Sequence, residues 1–153
     1  MTCFPDVNVW LALLLDVHTH HRIAQAWIDQ SDFDRLAFCR VTQMGLLRLL
    51  TNPTVMKADV RTIHAAWQAL EKIMSNEQIV FVPEPPGVEN SWKKLTATQK
   101  AGPNYWTDSY LAAFASRTGH TLVTFDRGFQ KFAGLPVRII GIPAPDPHHY
   151  GNS

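Results

Sequence analysis

The sequence predicts an α/β fold in which helices cover both faces of a parallel β-sheet. Short β-type segments alternate with longer amphipathic segments, the pattern of repeated β–α units. The β-type segments are mostly unbroken apolar runs such as TLVTF, which are typical of strands buried on both faces. At 153 residues the chain has the length of one domain. We therefore expect a single domain over residues 1–153, with its core in residues 1–142.

Five segments are predicted to be strands because each is a short, mostly apolar run. They are Thr2–Phe4, Leu36–Val41, Gln78–Pro83, His120–Phe125 and Val137–Ile142. The sequence after the last strand, residues 143–153, contains a proline-rich stretch and the polar ending HHYGNS. We expect this tail to fray, since chain ends that are not tied down seldom stay ordered.

Helices are predicted where apolar residues recur every three or four positions. These segments are Val7–Leu15, His20–Asp29, Thr42–Leu50, Val60–Met74, a stretch through Trp92 and Leu95, and Tyr105–Thr118. Thr42 and Asp59 are the predicted N-caps of the third and fourth helices, because hydroxyl and carboxylate side chains accept bonds from free helical N–H groups. Asn52-Pro53 ends the third helix and Gly119 the last one.

The composition permits several functions and selects none. A formal charge of +1 gives no broad basic surface for nucleic acid, so composition alone favours a protein that binds small molecules or other proteins. A nuclease with few local cations stays possible, because a bound metal can be the largest charge in its site. Cys3 and Cys39 show no disulfide or metal spacing and are predicted to be reduced core residues.

The N-terminal sequence MTCFPDVNVW lacks the basic region and cleavage site of a signal peptide. The longest apolar run, Val9–Leu15, is too short to cross a bilayer, which takes about 20 residues. We therefore expect a cytoplasmic protein that does not associate with membranes.

Two aspartates stand where predicted strands end. Asp6 follows the first strand, and Asp126 follows TLVTF. In open α/β sheets, ligands bind outside the carboxyl ends of the strands, near the point where the strand order reverses. Each aspartate alone is well explained as a helix cap or turn residue. Their matching positions make a shared site the more informative interpretation.

Asp108 is in line with the apolar side of the helix YWTDSYLAAFASRT. Leu111, Ala112 and Ala115 follow it by three, four and seven residues, the offsets that share one helical face. A carboxylate that points toward a core is costly unless a positive group compensates it. The alternative is an acid in the first turn, capped by Asn104 or Thr107 and favoured by the helix dipole.

Three aspartates that can converge at one sheet edge predict a site for a hard divalent cation. Carboxylate oxygens suit Mg²⁺ or Mn²⁺ rather than zinc, and Mg²⁺ commonly keeps several waters beside one or two carboxylates. Such an ion can activate a water for attack on a phosphodiester. The chain has no Walker A loop, no GxGxxG motif and no GxSxG motif.

The sequence around these aspartates resembles the PIN domain, and in particular the VapC-like toxins of type II toxin–antitoxin pairs. The matching motifs are D-x-N-V-W-L-A-L at the N-terminus, W-T-D-S-Y-L-A-A-x-A in the last helix and T-F-D-R-G-F after the fourth strand. The segment TQMGLLRLLTNP also resembles one branch of this family. The motifs are weak singly and specific in combination, and the resemblance runs from Asp6 to about Ile142.

The resemblance implies a three-layer PIN-like fold and an endoribonuclease that hydrolyses RNA, by family analogy tRNA or rRNA, with Mg²⁺ or Mn²⁺. Asp6, Asp108 and Asp126 match the metal-binding, catalytic aspartates of the family. Thr124 matches a hydroxyl that supports the site, although a β-branched strand residue explains it equally well. The resemblance also implies a homodimer and a cognate VapB-type antitoxin that covers the acidic site.

One position departs from the family pattern. Relatives commonly carry a glutamate where this chain has Gly45, and the nearby Gln43 is neutral. This departure leaves one metal plausible and puts a tight two-metal site in doubt. Glu84 or Glu89 could reach the site from a loop. The departure also motivates the alternative function, a degenerate PIN module that binds RNA or a protein without cleaving.

Other polar residues have weaker claims on the site. Arg48 and Arg127 are the predicted substrate-binding residues, since basic side chains supply most of the affinity for a phosphate backbone. Further candidates for phosphate contacts are Lys93, Lys94 and Lys100. The histidines of the H-x-H-H segment, His18, His20 and His21, are predicted to be a solvated helix start, although one of them could contact RNA.

Overall fold

The computed structural model of the chain describes residues 1–97 and 100–141. Within these residues five parallel strands form one sheet, in the order β3-β2-β1-β4-β5. The strands are β1 (Thr2–Pro5), β2 (Arg35–Phe38), β3 (Ile79–Phe81), β4 (Thr121–Thr124) and β5 (Val137–Ile139). The predicted α/β class and parallel sheet are therefore confirmed.

Helices pack on both faces of this sheet. They are α1 (Val7–Leu14), α2 (His21–Gln30), α3 (Arg40–Leu50), α4 (Pro53–Met56), α5 (Ile63–Met74), α6 (Val88–Thr96) and α7 (Tyr105–Thr118). Two 3₁₀ turns, Lys57–Asp59 and Arg127–Lys131, complete the described elements. Among these helices, none is both long and apolar enough to cross a membrane.

The two faces of the sheet carry separate cores, as the unbroken apolar strands predict. Cys3, Leu36 and Val123 belong to the core beneath α1, α2, α3 and α5. Their chain neighbours Phe4 and Leu122 belong to the core beneath α6 and α7. Because successive strand residues point to opposite faces, each strand needs apolar residues at both parities. The result is the predicted three-layer arrangement.

The third helix starts earlier than predicted. Arg40 begins α3, so the predicted strand Leu36–Val41 is too long and Thr42 is not the N-cap. Cys39 occupies the cap position, and the Thr42 hydroxyl accepts a hydrogen bond of 3.0 Å from the Cys39 N–H. Thr42 thus plays the second part of a capping box, three residues inside the helix.

The fourth predicted helix starts later than expected. Thr62, not Asp59, caps α5, and its hydroxyl accepts a 3.1 Å hydrogen bond from the Ala65 N–H. Asp59 lies instead in the 3₁₀ turn that follows the short helix α4, and neither element was predicted. Asp59 and Thr62 are both residue types that commonly begin a helix, and in this structure only Thr62 caps α5.

The last two strands are shorter in the structure than predicted. β4 is Thr121–Thr124 where His120–Phe125 was predicted, and β5 ends at Ile139. Ile142 and the predicted tail, residues 143–153, lie outside the described residues.

The strand order defines one place where the connections change direction. From β1 the chain moves through β2 to β3 on one side, and β4 and β5 lie on the other side. The carboxyl ends of β1 and β4 therefore meet at the switch point, with Pro5 paired to Val123. This is where a ligand site is expected in a sheet of this type.

Candidate active site

Asp6 is the buried carboxylate of this edge. It follows β1 directly, and its backbone N–H donates a 2.9 Å hydrogen bond to the carbonyl of Val123. Its side chain caps α1, since Oδ1 accepts a 3.2 Å bond from the Val9 N–H. Asp6 is only 7% exposed, so an ionised carboxylate here is costly unless it is compensated. Burial raises the pKa of Asp6, against the opposing effect of its hydrogen bonds.

Thr124 links Asp6 to Asp126. The buried Thr124 hydroxyl donates a 2.5 Å hydrogen bond to Oδ2 of Asp6 and accepts one of 3.0 Å from the Asp126 N–H. The Asp126 carboxylate caps the following 3₁₀ turn, since its Oδ1 accepts a 2.7 Å bond from the Gly128 N–H. One hydroxyl at the end of β4 thus contacts both the carboxylate of Asp6 and the backbone of Asp126.

Asp108 approaches the same edge from α7. It lies in the first turn of that helix, whose N-cap is Asn104, one of the two predicted caps. The side chain is half-buried. Burial, followed by repulsion from Asp126 and Asp6, raises its pKa to about 6, while Lys131 acts in the opposite direction. This repulsion indicates that Asp108 lies near both Asp6 and Asp126.

Only part of the negative charge around Asp108 is offset by a cation. The positive charge that acts on Asp108 is Lys131, whose influence is smaller than that of the acids. Carboxylates whose pKa is raised by burial and by neighbouring acids, as it is for Asp6 and Asp108, are often found at functional sites.

A cavity of about 390 Å³ opens beside Asp6 and Asp108. α3 supplies Gly45 and Arg48 to its wall, and polar groups that face it include Asn8, Asn104 and Thr107. Arg48, one of the two predicted substrate-binding residues, thus lines the same cavity as Asp6 and Asp108. Asp126 does not line this cavity, and its exposed side chain lies at the outer edge of the site.

Gly45 has a packing reason to be glycine. A Cβ at this position would lie 2.6 Å from Cγ2 of Val7, well inside normal contact distance. α1 and α3 thus approach each other closely at the position where the family resemblance predicts a glutamate. A larger side chain at position 45 requires Val7 to move.

The other acidic candidates lie elsewhere. Neither Glu84 nor Glu89 lines the cavity that holds Asp6 and Asp108. Glu84 acts on the hydroxyl of Tyr110 and contributes to raising the pKa of that group to about 12, after burial. Glu89 forms an exposed pair with Lys93, one turn along α6. The suggestion that one of these glutamates reaches the site is wrong for this arrangement.

The histidine segment contacts the neighbourhood of the site through one ring. The His20 ring lies 5.0 Å, centroid to centroid, from Phe125, which directly precedes Asp126. His21 uses Nδ1 in a 2.7 Å hydrogen bond with the Ala12 carbonyl oxygen. Burial lowers the pKa of His18. None of the three lines the acidic cavity.

The predicted basic residues differ in position. Arg127 is exposed in the 3₁₀ turn directly after Asp126, while Lys93, Lys94 and Lys100 are exposed and do not line the cavity. Sequence reasoning missed Lys131 because the 3₁₀ turn that brings it toward Asp108 has no strong sequence signature. It also missed Asn8, although that residue is part of the D-x-N motif.

The donor set fits a hard divalent ion. It offers only oxygen ligands, and the raised pKa of Asp108 reflects a need for positive charge. In the described part of the chain, no three His, Cys, Asp or Glu side chains converge closely enough to form a complete ion-binding group. The arrangement therefore suits a binding mode with one or two carboxylates and several waters, which is common for Mg²⁺.

Comparison with known proteins identifies the family. Residues 3–135 match the family model of the PIN domain. The chain is 41% identical over 140 residues to Ribonuclease VapC41 of Mycobacterium tuberculosis, covering 88% of this chain and 96% of that protein. It is 34% identical over 127 residues to Ribonuclease VapC39 of the same organism, covering 82% and 89%.

Solved structures show the same fold. VapC20 of Mycobacterium tuberculosis, described as a toxin that cleaves the sarcin-ricin loop, aligns with a TM-score of 0.67 at 17% identity, over 90% of this chain and 99% of that one. VapBC-1 of nontypeable Haemophilus influenzae aligns with a TM-score of 0.66 at 17% identity, over 91% and 98%. With its fold, its family match and its close sequence relatives in agreement, the chain belongs to the PIN-domain family, among the VapC ribonucleases.

Proposed function

We propose that this protein is a metal-dependent endoribonuclease that acts as the toxin of a VapBC-type pair in the cytoplasm. It hydrolyses phosphodiester bonds of RNA, with tRNA or rRNA as the substrate class, and uses Mg²⁺ or Mn²⁺. The observation that carries the proposal is the pairing of Asp6 and Asp126 through the Thr124 hydroxyl at the switch point between β1 and β4.

Each side chain has a distinct part in this proposal. Asp6 and Asp108 would hold the ion. Asp126, at the outer edge of the site, would add negative charge that attracts it. When bound, the ion supplies an activated water and neutralises charge on a phosphodiester oxygen. Thr124 fixes the Asp6 carboxylate, so that little reorganisation is needed when the ion binds. Arg48 lies on the cavity wall, where its guanidinium can hold a phosphate of the RNA.

The test is RNA cleavage by purified protein with and without Mg²⁺ or Mn²⁺. We expect cleavage that is abolished by EDTA and lost in Asp6→Asn and Asp108→Asn. Asp16→Asn, an exposed aspartate outside the cavity, is the matched control and should cleave normally. Cleavage that persists in EDTA, or in both site variants, would show that the active site lies elsewhere.

A VapB-type antitoxin is the proposed partner, supported by the structural likeness to VapBC assemblies. Its inhibitory segment would cover the acidic cavity, where a basic side chain could neutralise the carboxylates. We also propose a homodimer, on the strength of the likeness to VapC toxins. Light scattering of the purified chain tests the dimer directly.

The second candidate function is a degenerate PIN module that binds RNA or a protein without cleaving. The glycine at position 45 favours it, because the chain lacks the glutamate that the family resemblance predicts there, and a side chain at this position would press on Val7. Binding of RNA by folded protein that never cleaves, in either metal, would establish this function in place of the first.

A further inference from the structure

Trp106 is a large exposed aromatic side chain in the first turn of α7, the turn that also carries Asp108. It is 60% exposed and directly precedes Thr107, which lines the cavity with Asp6 and Asp108. Single exposed apolar residues are ordinary on protein surfaces. Trp106 differs because its neighbours hold its ring in place.

Two edge-on aromatic contacts hold this ring, and a hydrogen-bond chain ties Trp92 to the backbone of Trp106. Ring centroids of Trp92 and Trp106 are 5.9 Å apart at 88°, and those of Tyr105 and Trp106 are 5.6 Å apart at 70°. Trp92 Nε1 donates a 2.8 Å hydrogen bond to the buried Ser109 hydroxyl, which donates one of 3.1 Å to the Trp106 carbonyl. A ring that is already ordered loses little entropy when a ligand stacks on it.

Lys131 connects this aromatic group to the carboxylates. Its Nζ lies 5.4 Å from the centroid of the Tyr105 ring, and Tyr105 is also in contact with Trp106. The same ammonium acts electrostatically on Asp108. Within the described residues, the buried Tyr105 hydroxyl has no hydrogen-bond partner. One cation is thus near both the aromatic group and Asp108.

We propose that Trp106 and Lys131 bind one nucleotide of single-stranded RNA beside the cleaved bond. Trp106 stacks on the base, and Lys131 contacts its phosphate. This inference rests on the proposed function. Every base has a π-face, so stacking of this kind tolerates sequence changes and holds the strand while the carboxylates act. Lysine suits the phosphate contact as a compact, mobile charge.

Binding is measured without metal, so that it stands apart from cleavage. Fluorescence anisotropy in EDTA with labelled single-stranded RNA of mixed sequence should show Trp106→Leu weakening affinity by about 5- to 150-fold, the range for one lost stack. Trp106→Tyr should retain most of the affinity. Trp67→Leu, a 49%-exposed tryptophan on α5, is the control and should bind as the wild type does.

The contact between Lys131 and a phosphate is tested by the salt dependence of RNA binding. Lys131→Met should lower the slope of log affinity against log salt concentration by about 0.7, the contribution of one phosphate contact on a single strand. An unchanged slope would contradict the assigned role of Lys131.

An abasic nucleotide identifies the stacked base. When this nucleotide is moved along the RNA, the effect of Trp106→Leu should disappear at one position, adjacent to the cleavage site found with metal. An effect that is equal at every abasic position would overturn the stacking assignment. So would a Trp106→Leu protein that differs from the wild type in oligomeric state by light scattering, since Trp106 would then be a contact between copies.

The two failures can be told apart. If RNA binds with the expected Trp106 dependence but is never cleaved, the ribonuclease proposal fails and the binding inference stands. In that case there is no cleavage site for comparison, and the stacked nucleotide is identified only by the abasic position at which Trp106→Leu no longer weakens binding. If RNA is cleaved in a metal-dependent way and Trp106→Leu has no effect on binding or on KM, the inference fails and the ribonuclease stands. Failure of the wild-type protein to bind any RNA overturns the inference.

Discussion

The Thr124 hydroxyl donates a 2.5 Å hydrogen bond to Oδ2 of Asp6, joining two residues that are 118 positions apart in the chain. The same oxygen accepts a hydrogen bond from the Asp126 N–H. Because Thr124 is fully buried, no water can replace this hydroxyl without a change in packing. The geometry of the acidic site therefore depends on a neutral side chain that touches no substrate.

Thr124→Val keeps the shape of the side chain and removes its hydroxyl. Oδ2 of Asp6 and the Asp126 N–H then lose their partner in a buried place, which should lower the free energy of unfolding by about 1–3 kcal/mol. Cleavage should fall by about 10- to 100-fold, the usual range for residues that orient metal ligands. Urea denaturation and RNA cleavage measure the two effects. Thr124→Ser should recover most of the activity, and a fully active Thr124→Val would refute the positioning role.

Because Gly45 packs against Val7, the effect of Gly45→Ala on the free energy of unfolding should have opposite signs in the wild type and in a Val7→Ala variant. In a helix, Gly→Ala normally stabilises by about 1 kcal/mol. Here the new Cβ meets Val7 at 2.6 Å, and overpacking costs about 1–3 kcal/mol, so Gly45→Ala should destabilise the protein. In a Val7→Ala background the same substitution should become stabilising. A double-mutant cycle by chemical denaturation checks this, and additive effects would contradict the proposed contact.

Arg48 is predicted to act on the substrate and not on the fold. It is exposed and lines the cavity with Asp6 and Asp108, so its loss removes no buried contact. Arg48→Ala should raise KM for RNA by about 10-fold, as expected for one charge-assisted hydrogen bond to phosphate. Its unfolding free energy should stay within about 0.5 kcal/mol of the wild type. Steady-state cleavage kinetics decide the matter, and Arg61→Ala, on another cavity, is the control. A change in kcat with unchanged KM would argue against a binding role.

The sequence was sufficient to predict the sheet and to place Asp6 and Asp126 at its carboxyl edge. Unbroken apolar strands such as β4 showed that both faces are covered, and Asp6 and Asp126 marked the carboxyl edge. Helix starts were less predictable, because Thr62 and Asp59 are equally good caps and cysteine is an uncommon one at position 39. Tertiary packing decides which of the candidate residues caps a helix, and the local sequence does not show the outcome.

The details of the site were harder to predict, because they depend on contacts between residues that are far apart in the sequence. Gly45 stood out as a departure, but only the closeness of Val7 gives its physical reason. Lys131 was not predicted because its approach to Asp108 depends on a 3₁₀ turn of five residues. The role of Thr124 came from resemblance alone, and its hydrogen bonds to Asp6 and Asp126 now give it a physical basis.

Divalent metal should stabilise the protein at neutral pH. An ion that binds only the native state raises the free energy of unfolding by about 2.7 kcal/mol at 100 times its dissociation constant. The Tm of the wild type, measured in EDTA and with Mg²⁺ or Mn²⁺, should therefore rise with metal. Asp108→Asn should show a much smaller rise, and Asp16→Asn an unchanged one. Equal rises in all three proteins would mean that the ion binds elsewhere.

Without metal, the acidic site should make the protein less stable as pH rises. The pKa of Asp108 is raised to about 6, so the native state binds this proton more tightly than the unfolded chain does. The stabilisation is fully present below the ordinary aspartate pKa and is lost as pH rises through about 6. In EDTA, Asp108→Asn should therefore gain Tm relative to the wild type between pH 5 and pH 7, roughly the range in which the carboxyl ionises. Asp16→Asn should follow the wild-type curve. If Asp108→Asn follows it too, the Asp108 carboxylate is not strained in the free protein, and the electrostatic argument for a cation site loses its main support.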